Sequence, residues 1–236
     1  MELDLRGIVI IVGAYGSGKT EVAINLALAM KRRGTEVRLA DLDLVNPYFR
    51  SREARHTLRS RGIDVVLPAE QYMHADLPIL TPEVSGMLKK PTGLILLDVG
   101  GDDVGATVLA ALADFLEGKT PEVLQVINPN RPHTDTVDGC LKMRQEIEKS
   151  AKLRITGIVG NANLMEATQE QDILDGYDFV SRVAQAAGIS LRFVTVPAAL
   201  LTQMDKRSIQ CPVLAVNRQL VPPWMKAESL DFKSQI

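Results

Sequence analysis

Residues 11–20, "IVGAYGSGKT", decide how the rest of this chain is read. They place Gly13, Gly18, Lys19 and Thr20 at the spacing G-x-x-x-x-G-K-[ST], the pattern of a loop that cradles phosphate. Such a loop needs backbone N–H groups turned inward with no side chain in the way. Glycines permit that geometry, and the helix that follows adds its positive N-terminal end. Both neighbours are present. "GIVIIVG" reads as a strand, and "KTEVAINLALAMKRRG" as a helix with Val22, Ala23, Leu26, Ala27 and Met30 on one stripe and Gly34 at its end. The candidate nucleotide-binding residues are therefore Gly13, Ala14, Tyr15, Gly16, Ser17, Gly18, Lys19, Thr20 and Glu21. Lys19 is expected to reach the β- and γ-phosphates, and the Thr20 hydroxyl to bind Mg²⁺.

Outward from the loop, short apolar runs alternate with longer segments of helical period, which implies βαβ units and a parallel sheet. Further strands are expected at "EVRLADLD", "IDVVLP", "GLILLDVGG", "EVLQVINP", "ITGIVGN" and "LRFVTVP". Helices are expected near 47–60, 82–90 and 103–117, over "TDTVDGCLKMRQEIEKS" and around "DFVSRVAQAAG", with a loop over 69–81. "GLILLDVGG" lacks polar alternation, as befits a strand covered on both faces. The expected fold is α/β, a single-domain three-layer P-loop NTPase fold with a mostly parallel doubly wound sheet. Residues 1–236 read as one nucleotide-binding domain, and 200–236 as a weakly patterned C-terminal extension in which "VPPWMK" looks like an irregular tail.

Magnesium takes oxygen ligands, usually a carboxylate or two, directly or through water. Asp98 closes the strand "LILLD", where burial without a partner would be costly for a charge, and Gly100-Gly101 behind it read as a mobile γ-phosphate sensor. Asp41 and Asp43, in "ADLDLVNP", close the second strand at the same edge, and alternation puts both on one side of it. One of the pair would touch the metal shell while the other orients the attacking water.

Composition narrows the classes. Hydrophobic residues at 46% and charged residues at 24% describe an ordinary folded globule. A net charge of −2 gives no global pull towards nucleic acid or anionic lipid, and 4% aromatics argue against a base-stacking platform. Cys140 and Cys211 form no C-x-x-C, so neither a disulfide framework nor a cysteine-ligated metal is expected. With no leader and no apolar run of the roughly 20 residues that span a bilayer, a cytoplasmic location is expected.

With these pieces in order, the chain resembles the MinD/ParA-like branch of P-loop ATPases over about 7–197. The likeness is carried by "GAYGSGKTEVAINLALAMKRRGTEVRLADLDLVNP", "LILLDVGG", "GIVGN" and "VTVP". The resemblance implies Asp41 near the metal with Thr20 and Asp98, and Asp43 positioning water, so that Lys19 and Asp43 are the catalytic candidates. It implies that Asn161 recognises adenine and that the stretch after Pro197 is a loop whose backbone covers the base. No N-K-x-D guanine motif appears at Asn161, which favours ATP over GTP. Members usually carry a lysine where this chain has Ala14, and that lysine reaches the partner's nucleotide in a homodimer. Enzymes of the dethiobiotin-synthetase type share the fold and also lack it.

Other features carry less. Arg52, Arg55 and Arg59 fall on one helical face and read as a solvated stripe, with Arg50 placed to swing towards phosphate. His56, His74 and His133 have no metal-ligand spacing, and the loop "EQYMHADLPILTP" belongs at the ligand edge of the sheet. No basic amphipathic helix marks a membrane anchor of the MinD type. The functional expectation is a Mg²⁺-dependent ATP-binding protein, a slow ATPase that cycles between ATP and ADP as a switch read by a protein partner. The alternatives are an ATP-dependent small-molecule ligase or kinase and a non-hydrolysing nucleotide sensor.

Overall fold

A computed structural model describes residues 3–43, 54–67, 82–101 and 103–220 of the 236-residue chain. β1 (Gly7–Gly13) lies near the middle of the sheet because both of its faces are apolar. Ile8, Ile10 and Val12 are buried on one side and Val9 and Ile11 on the other. β2 (Val37–Leu42), β3 (Asp64–Val66), β4 (Leu94–Val99), β5 (Glu122–Ile127), β6 (Gly157–Gly160), β7 (Ser190–Pro197) and β8 (Val213–Val216) complete one eight-stranded sheet in the order β3-β2-β4-β1-β5-β6-β7-β8. Every pairing is parallel.

Helices cover both faces. α1 (Lys19–Arg32) and α2 (Arg55–Ser60) close one side, where Val22, Leu26 and Leu58 meet Val9, Leu39 and Leu96. α3 (Pro82–Lys89), α4 (Asp103–Leu116), α5 (Val137–Ala151) and α6 (Glu170–Ala187) close the other, where Met87, Leu112 and Val183 are among the buried residues. The molecule is a single α/β domain of three layers. Its loops after β1, β2, β4, β5, β6 and β7 all leave the same carboxyl edge, where ligands of parallel sheets bind.

Three expectations need amending. The stretch after Pro197 is not a loop but a short helix, α7 (Ala198–Leu201). Residues 213–216, inside the extension expected to be weakly patterned, form the eighth strand, paired to β7 from Val194–Val213 to Pro197–Val216. α6 starts at Glu170, well before "DFVSRVAQAAG", behind a capping box in which Gln169 and Asp172 satisfy each other's backbone. The expected helix over 47–60 is described only from Arg55, and Arg50, Arg52, His74 and the 69–81 loop lie outside the described residues, as does "VPPWMK".

Candidate nucleotide-binding site

The phosphate loop runs from the end of β1 to the first turn of α1. Gly13 ends the strand, and Gly18 caps the helix with φ 87°, a left-handed backbone that a side chain resists. A Cβ on Gly18 would also lie 2.3 Å from Asn161 Nδ2, so glycine is needed there twice over. Inside the loop the Lys19 ammonium donates to the Ala14 carbonyl at 2.9 Å, and the Ser17 N–H closes a turn onto the same oxygen at 3.2 Å. Lys19 and Thr20 are buried in the first turn of α1, Ala14 is buried, and Tyr15 at the loop tip is 76% exposed.

The acidic residues gather beside it. Asp41 on β2 and Asp98 on β4 stand in direct register, and both are fully buried. Registered residues of adjacent parallel strands project to the same face, so these carboxylates are neighbours whose charges repel unless a cation lies close. Asp43 falls one residue beyond β2. Its backbone N–H donates to Asp41 Oδ1 at 3.1 Å, a turn that fixes the Asp41 carboxylate, while Asp43 itself stays buried. Hard oxygen donors of this kind, with the Thr20 hydroxyl, suit Mg²⁺. Among the described residues no three His, Cys, Asp or Glu side chains form a cage of their own.

The loop after β4 closes over the lysine. A Cβ on Gly101 would lie 2.6 Å from Lys19 Nζ, 2.7 Å from the Gly13 carbonyl and 2.8 Å from the Tyr15 nitrogen. Gly101 thus sits against the mouth of the phosphate loop with no room for a methyl group. Behind it, Gly105 in α4 backs onto the Gly100 carbonyl, 2.2 Å from where a Cβ would stand.

On the far side, Asn161 follows β6 and is buried. Its amide Nδ2 donates to the Ser17 carbonyl at 2.7 Å, and its Oδ1 accepts from the Thr195 hydroxyl on β7 at 2.5 Å. Asn161 therefore braces the phosphate loop from the neighbouring strands. A base contact would have to use its remaining N–H or the second lone pair of Oδ1. Pro197 closes β7 two residues beyond Thr195.

Glu21 is held by a segment distant in sequence. Its carboxylate accepts from the backbone N–H groups of Gln219 and Leu220 and from the Asn25 amide. Asn25 in turn exchanges two bonds with the Asn217 backbone, 3.0 and 2.9 Å. Burial pushes the Glu21 carboxyl up to about 7, against the pull of those N–H donors and of nearby Arg218. Arg218 pairs with Glu166 in the loop after β6.

One residue near the loop escaped the sequence reading. Arg131, in the turn after β5, donates from Nε to the Gly16 carbonyl at 3.2 Å. It lies 115 positions away in a stretch of no regular period, and nothing in "NPNRPHTD" marks it.

No protein-family model matches the sequence, and no curated protein matches it. Solved structures do. The cell division protein FtsY of Thermotoga maritima superposes with a TM-score of 0.57 at 21% identity, covering 83% of this chain and 65% of that protein. The signal recognition particle receptor FtsY of Elizabethkingia anophelis, in complex with GDP, gives 0.55 at 16% identity, covering 83% and 59%. The signal recognition particle 54 kDa protein of Aeropyrum pernix, also with GDP, gives 0.55 at 20% identity, covering 82% and 42%. This chain spans less than two thirds of the length of each. The likeness is one of fold: the chain has the three-layer α/β architecture of P-loop NTPases.

Proposed function

We propose that this chain binds MgATP in the 13–21 loop and hydrolyses it slowly, as a switch whose state a protein partner reads. The observation that carries the proposal is the convergence of Lys19 with the buried, registered pair Asp41 and Asp98 at one sheet edge. The loop amides and the Lys19 ammonium would bind the phosphates. Thr20, Asp41 and Asp98 would hold Mg²⁺ with water between, and the ion would supply charge neutralisation at the phosphoryl oxygens. Asp43, fixed by its turn onto Asp41, would orient the attacking water.

Adenine is preferred for a chemical reason. Guanine selection rests on a carboxylate that pairs with the N1–H and N2 amino group of the base. Beyond Asn161 the chain offers Ala162, Asn163 and Leu164, and the acid of that loop, Glu166, is engaged by Arg218. GDP in two of the structural neighbours makes this a point to test rather than inherit.

Calorimetry with MgATP and MgGTP on the wild type and on Lys19→Ala is the direct experiment. The wild type should favour MgATP, and Lys19→Ala should lose both. Unchanged affinity in Lys19→Ala would remove the site assignment, and a preference for MgGTP would overturn the adenine reading.

A further inference from the structure

The turn after β5 brings a second cation to the phosphate loop, and it is built to do so. Asn128 is buried. Its carbonyl accepts from the Arg131 N–H at 3.2 Å and from the Thr134 hydroxyl at 2.8 Å, while its Oδ1 accepts from the Asn130 N–H at 3.0 Å. Thr134, fully buried, also donates to the Arg131 carbonyl through both N–H and hydroxyl. The backbone of Arg131 is thus fixed on both sides.

Its side chain lies over Gly16, with Nε, Cδ and Cζ 3.6 to 3.9 Å from where a Cβ on that glycine would stand. Among the described residues no carboxylate pairs with Arg131, and its one hydrogen bond from the side chain goes to a neutral carbonyl. A guanidinium has five N–H donors and a permanent charge. Here that charge stands against the loop itself, at an exposed contact where its attraction for an anion weakens as salt is added.

We propose that Arg131 is a charge-sensing residue of the phosphate site, raising affinity in proportion to the negative charge of the bound nucleotide and so favouring triphosphate over diphosphate. This rests on the reading that the 13–21 loop binds nucleotide phosphates. Two variants separate charge from bracing. Arg131→Gln puts an amide nitrogen where Nε stands, keeping the donor to Gly16 and deleting the charge. Arg131→Lys keeps the charge and loses that donor.

Binding of MgATP, MgADP and adenosine to each purified full-length variant is measured by calorimetry at two salt concentrations, beside the wild type and Lys19→Ala. Arg131→Gln should weaken MgATP roughly ten-fold and MgADP roughly three-fold, leave adenosine unchanged and flatten the salt dependence. Arg131→Lys should stay within about two-fold of the wild type. The reverse pattern, or equal losses for all three ligands, means that Arg131 only braces the loop and overturns the proposal, as does an unchanged Arg131→Gln. A wild type that binds no nucleotide overturns this proposal and the nucleotide reading together. A wild type that binds normally beside an unaltered Arg131→Gln overturns this one alone.

Discussion

Asn161→Ala asks whether Asn161 reads a base or holds the loop. The substitution deletes two buried hydrogen bonds, to the Ser17 carbonyl at 2.7 Å and from the Thr195 hydroxyl at 2.5 Å. Thr195 keeps a weaker contact to the Gly160 carbonyl at 3.4 Å, so the larger loss falls on Ser17. Leaving one buried acceptor unmet costs about 1–3 kcal/mol, and the space left by a truncated buried amide adds about 1 kcal/mol. For a domain of this size each kcal/mol moves Tm by about 2–4 °C, which puts the expected drop at about 5–15 °C. The functional arm uses inorganic tripolyphosphate, which has no base. Loop bracing predicts that Asn161→Ala weakens Mg-tripolyphosphate and MgATP by similar factors in calorimetry. A variant that melts with the wild type, binds tripolyphosphate normally and loses only MgATP would refute the bracing argument and return Asn161 to the base.

Asn25→Ala removes the side chain that ties residues 217–220 to α1 through both polar groups of the Asn217 backbone. The loss of about 1–3 kcal/mol of local anchoring should speed tryptic cleavage after Arg218 roughly ten-fold or more, and an unchanged rate would contradict the anchor. Burial pushes the Cys140 thiol up to about 12 and the Cys211 thiol up to about 11. Because only the thiolate reacts, alkylation at pH 8 should run roughly a hundred- to a thousand-fold slower than for free cysteine and climb as the pH rises. Rapid modification of the folded protein at neutral pH would show that these thiols are not buried.

The parts of the fold that could be read in the sequence are those whose chemistry is local. Gly13, Gly18, Lys19 and Thr20 specify a loop by themselves, and the apolar run Leu94, Ile95, Leu96 and Leu97 specifies a strand buried on both faces. β8 was illegible because four residues at a sheet edge, three half-buried around a buried Leu214, carry no clear alternation; they are a strand only because β7 offers its free edge. The first half of α6 was obscured by Gly176, which reads as a break. The helix runs through it, and glycine is needed there because a side chain would come within 2.3 Å of the Ala162 Cβ. At the site, Asp41 and Asp98 were placed by strand ends, whereas the bonds of Asn161 to Ser17 and of Arg131 to Gly16 join residues 144 and 115 positions apart. No local pattern encodes such a meeting. Only the strand order, which sets β5 beside β1 and β6 next beyond it, brings it about.

Gly101 lies beside both the lysine and the rim of the phosphate loop, and any side chain there would crowd them both. Gly105 is pressed onto the Gly100 carbonyl without a methyl's clearance. The tight seat of Gly105 ties the start of α4 to the loop that borders the lysine, so a bulkier residue at either glycine would have to move one against the other.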